Sequence, residues 1–373
     1  MPTETAVSDQ ARLVMRQCIQ KVATGPEYSK DLSQKEAYDA MRLILSEQAD
    51  PVQAGVFLIA LRMKRETEDE NKGILQAILD ATRSVDVDVD DLVDVADPYD
   101  GYTRGLPASP FLAPVLAALG LPALSHGLQE VGPKYGVTHR MVLRAAGIAV
   151  DLSSEQAAER VANPDLGWAY LDQKHACPAL HALIPLRTRI VKRPVLTTVE
   201  VLMHPLKARG KNHLLTGYVH KNYPPVYAEL ARFAGFDSAM VVRGVEGGVI
   251  PSLQSDAKVF YYHEKGKERD WPIHPDAVGV TQANRAVPLP DHIPKAKTAG
   301  DETATKFDCV SAAAIAAEYG VKALAGEKGP TYDSLVYAGA LCLKHVGRVA
   351  HLAEGAERVR QVLDSGAAKA RLS

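Results

Sequence analysis

The sequence predicts an α/β fold in two parts: a small N-terminal helical bundle domain, then a large α/β domain with a central mixed sheet flanked by helices. Two observations carry this. Residues 8–84 hold successive helix start signals, each followed by apolar side chains at helical spacing. From Asp91 onward, short apolar runs alternate with helical ones, as when helices cover a sheet. The expected boundaries are 1–88 for the bundle, completed by about 168–205, with 89–167 and 206–373 forming the α/β domain.

Taken in order, Ser33-Gln-Lys-Glu36 is a capping box ahead of Ala37, Tyr38, Met41 and Leu45. Asp50-Pro51 opens a second helix bearing Val56, Phe57, Ile59, Ala60 and Met63, and Thr67-Glu-Asp-Glu70 a third bearing Ile74, Leu75, Ile78 and Ala81. These faces carry no cluster of reactive groups, so the bundle reads as a scaffold or a dimer surface.

Val93 to His126 reads strand, loop, helix, strand, with Ser109 as helix cap and Pro110 in the first turn. In parallel α/β sheets ligands sit beyond the carboxyl ends of strands. Asp97 to Ser109 and the turn after Ser125 are therefore expected to face one crevice. Helices follow at Thr138–Ala146 and Ser154–Val161, then an irregular aromatic piece, Trp168–Cys177, and helices over Pro178–Pro205 returning to the bundle. Leu214–Val219 and Ser238–Arg243 read as strands around a helix at Pro225–Ala234, and Gly244–Gly248 as a glycine-rich turn. Lys258–Tyr262 and Asp270–Ile273 read as a hairpin, and Val287–Thr305 as a long surface excursion. The chain closes with helices at Cys309–Tyr319, Asp333 (as cap)–His345 and Leu352–Leu363, the last stopped by Gly366.

At 46% hydrophobic and 24% charged residues, the composition is that of ordinary globular protein. A net charge of −2 gives no overall field toward nucleic acid or membrane, so any basic site is local. Cys18, Cys177, Cys309 and Cys342 form no CxxC pair, which argues against a zinc site or a disulfide framework and fits a reducing cytosol. The start of the chain is polar, and no apolar run approaches the ~18 residues a span needs, so the expected location is cytoplasmic, with no membrane partner.

Gly101 and Gly105 bracket a loop whose N–H groups can wrap an anion, with Arg104 adding charge; the competing reading is an ordinary strand-to-helix turn. Asp100 is placed to hold a ribose hydroxyl. His126-Gly127 ends the next strand, as a ligand contact or a surface residue. Arg187, Arg189, Lys192, Arg193, Lys207, Arg209 and Lys211 form the densest basic stretch, opposed there only by Glu200. Pro185, Pro194 and Pro205 interrupt it, so it suits phosphates of a nucleotide or a nucleic-acid backbone better than a simple solvated face. Glu246 is the single carboxylate of its glycine-rich turn, too few oxygens for a divalent cation.

Four stretches carry a resemblance over nearly the full chain: SQKEAYDAMRLILSEQADPVQAGVFLIALRMKRETEDE, CPALHALIPLRTRIVKRPVLTTVEVLMHP, SAMVVRGVEGG and GEKGPTYDSLVYAGALCLKHVG. In this order they resemble the anthranilate phosphoribosyltransferase family, family 3 of the glycosyl transferases. The resemblance implies a nucleoside phosphorylase/phosphoribosyltransferase-like fold, a homodimer through the helices, and phosphoribosyl pyrophosphate with magnesium in an interdomain cleft. It implies that Ser109 contacts phosphate, that His126 and Gly127 keep part of a KHGN motif, that Arg187 faces the aromatic acceptor and that His204-Pro205 stands for Asn-Pro. Departures are as specific. Asp97-Pro-Tyr-Asp-Gly101 replaces a GTGGD-type loop, Ser125 and Leu128 replace the lysine and asparagine of KHGN, and Val249 and Ile250 replace the Asp-Glu pair that holds magnesium.

This pattern looks like the divergent anthranilate phosphoribosyltransferase-like paralogue branch, which includes nucleic-acid-binding members lacking the tryptophan-pathway activity. The resulting expectation leans to an enzyme moving a phosphoribosyl or related glycosyl group from a phosphorylated ribose donor to an unidentified aromatic or nitrogenous acceptor. Asp100, Gly101, Arg104, Ser109 and Gly127 would serve the donor, His126 would orient or protonate, Arg187 would hold the acceptor, and no protein metal ligand is expected. The alternative is a non-catalytic nucleotide or nucleic-acid binder using the basic stretch.

Overall fold

The computed structural model describes residues 8–25, 27–297 and 304–372. Helices α1 (Asp9–Val22), α2 (Gln34–Leu45), α3 (Pro51–Lys64) and α4 (Glu68–Ala81) form the bundle. Their starts follow the expected chemistry. Ser33 with Glu36 and Thr67 with Glu70 form reciprocal capping boxes, and the Asp50 carboxylate accepts the N–H groups of Val52 and Gln53. Each such cap stabilises its helix by about 1 kcal/mol.

The chain continues through β1 (Val85–Val87), β2 (Asp91–Ala96), α5 (Leu112–Ala118), β3 (Ala123–Gly127), α6 (His139–Ala145), α7 (Ser154–Ala162) and β4 (Trp168–Asp172). Short helices α8 (Gln173–Ala176), α9 (Pro178–His181), α10 (Ile184–Ile190) and α11 (Leu196–Val199) come next; α9 and α11 pack on α4, and α10 on α3. Then follow β5 (Leu206–Ala208), β6 (Lys211–Gly217), α12 (Tyr223–Phe233), β7 (Ser238–Val242), β8 (Ala257–Tyr262) and β9 (Arg269–Ile273). Helices α13 (Cys309–Ala323), α14 (Pro330–His345), α15 (Leu352–Asp364) and α16 (Ala367–Ala370) close the fold.

The main sheet has the order β4-β3-β2-β6-β7-β8-β9, and β1 pairs with β5 beside it. Strands β4 to β7 run parallel, while β8 and β9 are antiparallel additions. Both faces are covered. Leu92, Leu124, Leu171 and Leu214 join one core with the bundle, whereas Val93, Val95, Trp168, Leu215 and Met240 point into a second core with α5, α13 and α14. Strands buried on both sides read as continuous apolar runs rather than alternating ones. Among the described residues, no helix is long and apolar enough to cross a membrane.

Three local expectations are corrected. Trp168–Asp172 is an edge strand, with Trp168 opposite Ala123, not an irregular piece; all five residues are buried, so no alternation marks them. Ser109 caps nothing: it begins a 3-10 turn, Ser109–Phe111, and its hydroxyl turns inward. Asp333 lies in the first turn of α14 rather than at its cap, because Pro330 already suits the first helical position after Gly329. Of the excursion Val287–Thr305, residues 298–303 lie outside the described residues; the remainder is tied by the bridges Leu106–Val287 and Lys295–Phe307.

Candidate functional site

A cleft of about 910 Å3 opens between the bundle and the carboxyl ends of β2, β6 and β7. Tyr99, Asp100, Thr103 and Arg104 enter it from the loop after β2, Tyr218 and His220 from the end of β6, and Arg243 to Gly247 from the turn after β7. Arg62 of α3, Arg193, and Tyr223 and Tyr227 of α12 close it from the other side. Cations dominate: Arg62, Arg104, Arg193, Arg243 and Arg285 with Lys134 and Lys306, against Asp100, Glu246 and Asp256. In a chain of net charge −2, this is a local basic field that favours an anionic ligand.

The rim loop is pinned rather than loose. Tyr102 bridges Val137, and Gly101, at φ +73°, lies so near Gly136 that an added Cβ would meet its carbonyl carbon at 2.6 Å. Asp100 is buried at the cleft wall and accepts Arg193 Nε at 3.0 Å and Nη2 at 2.7 Å, with Lys134 Nζ 3.4 Å away. Beyond it, the Thr103 N–H and hydroxyl and the Arg104 N–H all donate to the Glu246 carboxylate, at 3.0, 2.9 and 2.8 Å. The Arg104 side chain itself is exposed.

Beneath the rim lies a closed polar floor. Asp97, at the end of β2, accepts the Tyr102 hydroxyl at 2.8 Å, the Ser109 hydroxyl at 2.7 Å, His139 Nε2 at 2.8 Å and the Val249 N–H at 2.9 Å. Burial alone would raise its carboxyl, but His139 and the hydrogen bonds from His139, Ser109 and Tyr102 outweigh it and hold Asp97 below its ordinary value. His139 Nδ1 lies 2.7 Å from the Ser125 hydroxyl. His126 is enclosed too: Nε2 lies 2.5 Å from Asp94, and Nδ1 meets the Tyr99 hydroxyl. Burial, then Glu200 and Asp94, push the Tyr99 phenol well above its ordinary value, so it stays protonated and donates to His126.

The expected site residues therefore separate. Asp100 and Arg104 line the cleft, with Gly101 supporting the loop between them. Ser109, His126 and Gly127 do not line it; they lie in the floor, where Ser109 and His126 are each only 1% exposed. Arg187 is likewise withdrawn. It makes a bidentate pair with Glu200, Nη1 to Oε2 at 2.6 Å and Nη2 to Oε1 at 2.8 Å, both side chains buried. His204, in the Asn-Pro position, is buried against Phe236.

The basic stretch does not hold together as one surface. Arg193 turns into the cleft onto Asp100, whereas Arg209 pairs with Asp88 and Asp90 at 2.5 and 2.7 Å and Lys211 lies 3.4 Å from Glu264, at the opposite, amino-terminal end of β6. Arg189, Lys192 and Lys207 are exposed. The opposing acids are remote in sequence, whereas the stretch itself contains only Glu200. Sequence reasoning also missed Arg62, Lys134, Arg285 and Lys306. The strand-end rule could have found Arg243 and His220.

The residues present do not fit magnesium. Val249 is fully buried in the core, Ile250 packs beside Leu106 and Pro251, and neither side chain carries an oxygen in place of a carboxylate. Asp100 and Glu246 are already engaged by Arg193 and the Thr103–Arg104 backbone, and no group of three or more potential metal ligands occurs among the described residues.

The sequence matches the glycosyl transferase family in both parts, its helical bundle domain over residues 16–82 and its a/b domain over residues 105–288. This chain belongs to that family, the one that includes the anthranilate phosphoribosyltransferases. Among relatives, the anthranilate phosphoribosyltransferase of Desulfotalea psychrophila is 28% identical over 362 residues, covering 96% of this chain and 95% of that protein. An uncharacterized protein of Aquifex aeolicus is 27% identical over 267 residues, covering 72% of this chain and 79% of its own length. In fold, the anthranilate phosphoribosyltransferase of Saccharomyces cerevisiae in complex with PRPP and Mg matches with a TM-score of 0.72 at 18% identity, over 98% of this chain and 97% of that one. The Thermus thermophilus enzyme gives 0.70 at 22% identity, over 96% and 97%.

Proposed function

We propose that this protein transfers a phosphoribosyl or related glycosyl group from a phosphorylated ribose donor to an aromatic or nitrogenous acceptor in the cleft. The observation that carries the reading is the cation-rich cleft at the carboxyl ends of the parallel strands, in a fold shared with an enzyme solved with PRPP and Mg. Arg104, Arg243, Arg285 and Lys134 receive the donor's phosphates, with Asp100 and Gly101 shaping the loop beside them. Tyr99, Tyr223 and Tyr227 offer an aromatic wall to the acceptor.

In the transfer, the bond from the anomeric carbon to the departing diphosphate breaks, an oxocarbenium-like ribose forms, and an acceptor nitrogen bonds to that carbon and loses its proton. Charge gathering on the diphosphate oxygens is stabilised by guanidinium and ammonium groups fixed in advance. His126 acts as a positioning residue: both its ring nitrogens are engaged, and through the Tyr99 hydroxyl it holds the phenol at the cleft wall. Ser109 and Gly127 support the same loops from below. The reading includes a homodimer through the bundle, supported by Val52, Val56 and Met63, exposed at helical spacing along one face of α3.

The test is calorimetric titration with phosphoribosyl pyrophosphate, with magnesium and with a chelator. Binding of similar strength in both is expected; no binding in either rules the reading out.

A further inference from the structure

We propose that Thr103 and Arg104 form a seat for a phosphoryl group, and that the Glu246 carboxylate occupies this seat as an internal stand-in until a phosphorylated ligand displaces it. The inference rests on the proposed reading of the cleft and adds to it a specific anion site and a competitor built into the chain. Three donors converge on one carboxylate: the Thr103 N–H at 3.0 Å, the Thr103 hydroxyl at 2.9 Å and the Arg104 N–H at 2.8 Å. Two adjacent backbone N–H groups with a hydroxyl make a concave donor set of the kind that takes phosphate oxygens as readily as carboxylate ones.

The occupant is held at a cost. Glu246 adopts φ +54°, a left-handed conformation that a side-chain-bearing residue enters against its preference. It does so in a turn flanked by Gly244 and by Gly247 at φ +87°, which lets the segment rearrange. The surroundings favour a stronger anion. Arg104, Arg243, Arg285 and Lys306 line the same cleft, and the Lys134 ammonium lies 3.4 Å from the Glu246 carbonyl oxygen and 3.0 Å from that of Gly101. A phosphoryl group with two negative charges gains more from these cations than a single carboxylate does. Because the vacant seat is the binding-competent state, Glu246 lowers the apparent affinity by the fraction of time it sits there.

The experiment titrates inorganic phosphate, pyrophosphate and phosphoribosyl pyrophosphate, in magnesium-free buffer, into the wild-type protein, Glu246→Gln and Glu246→Ala. At least tenfold tighter binding is expected for Glu246→Ala, with Glu246→Gln intermediate because its amide oxygen still accepts but carries no charge. Adding Thr103→Val to Glu246→Ala should reverse much of the gain. A gain for all three anions assigns the seat to any phosphoryl group, and a gain confined to phosphoribosyl pyrophosphate assigns it to the donor. Unchanged or weaker binding in both Glu246 variants, with thermal unfolding cooperative as in the wild type, overturns the inference by showing Glu246 to be a plain tether. If the wild type binds but the variants gain nothing, only this inference falls; if no protein binds any of the three, the reading of the cleft falls with it.

Discussion

The floor and the rim of the cleft both draw on the loop after β2, and they behave in opposite ways. Along the floor, Asp97, Ser109 and His139 close on one another, His126 sits between Asp94 and Tyr99, and Arg187 locks onto Glu200. Along the rim, Arg104 and Arg243 are exposed and Asp100 and Glu246 hold cations or N–H groups at the surface of a wide opening. A polar residue buried at a strand end is taken up by internal partners rather than left for a ligand. A buried charge left without a partner is so unfavourable that the fold supplies one.

The steepest loss of stability is expected around Arg187. Glu200→Ala leaves the guanidinium buried and uncompensated, and should cost about 3–5 kcal/mol in urea unfolding. Replacing both partners by leucine should recover most of that loss. A cost for the single variant below about 1 kcal/mol would put Arg187 in the open and return it to the cleft.

A second closed network, at the amino-terminal edge of the same sheet, sharpens the contrast through pH. Ser238 links His213 at 2.7 Å to His345 at 2.9 Å, His263 stacks on His345, and Asp91 lies 3.6 Å from His213. Burial, then His263 and His213, hold His345 well below its ordinary 6.5, and burial also lowers His213. His345 and His213 take up protons less readily in the folded protein than in the unfolded chain, which binds them below about pH 6.5. Their contribution is therefore intact above pH ~6.5 and lost as the pH falls, by up to about 1.4 kcal/mol per pH unit for each ring. Urea unfolding at pH 7.5, 6.5 and 5.5 measures this, and His345→Asn should flatten the slope.

The smallest effect on stability belongs to the rim. Arg243→Ala should change unfolding by no more than about 0.5 kcal/mol, while weakening pyrophosphate binding roughly tenfold. Loss of stability without loss of affinity would make Arg243 part of the floor.

Much of the fold was legible in the sequence because its signals are local. A capping box spans four residues, and the start of α2 or α4 depends on little else. The buried strands β6 and β7 announced themselves as apolar runs between turn residues, whereas β4 did not, since its identity as a strand rests on pairing with β3. The site was legible in position only. The crevice beyond β2 and the places of Asp100 and Arg104 followed from the strand-loop-helix pattern.

Local signals in the sequence set the bundle helices with their caps, the apolar strands β2, β6 and β7, and a crevice at the strand ends. Only the tertiary structure decided which polar residues face that cleft, because burial is set by partners far away in the chain. Arg193 meets Asp100 across 93 residues, and Glu246 reaches Thr103 across 143. No spacing rule spans such distances: it takes the packed sheet and bundle to bring a carboxylate within 3 Å of a donor, and that proximity decides which charges remain for a ligand.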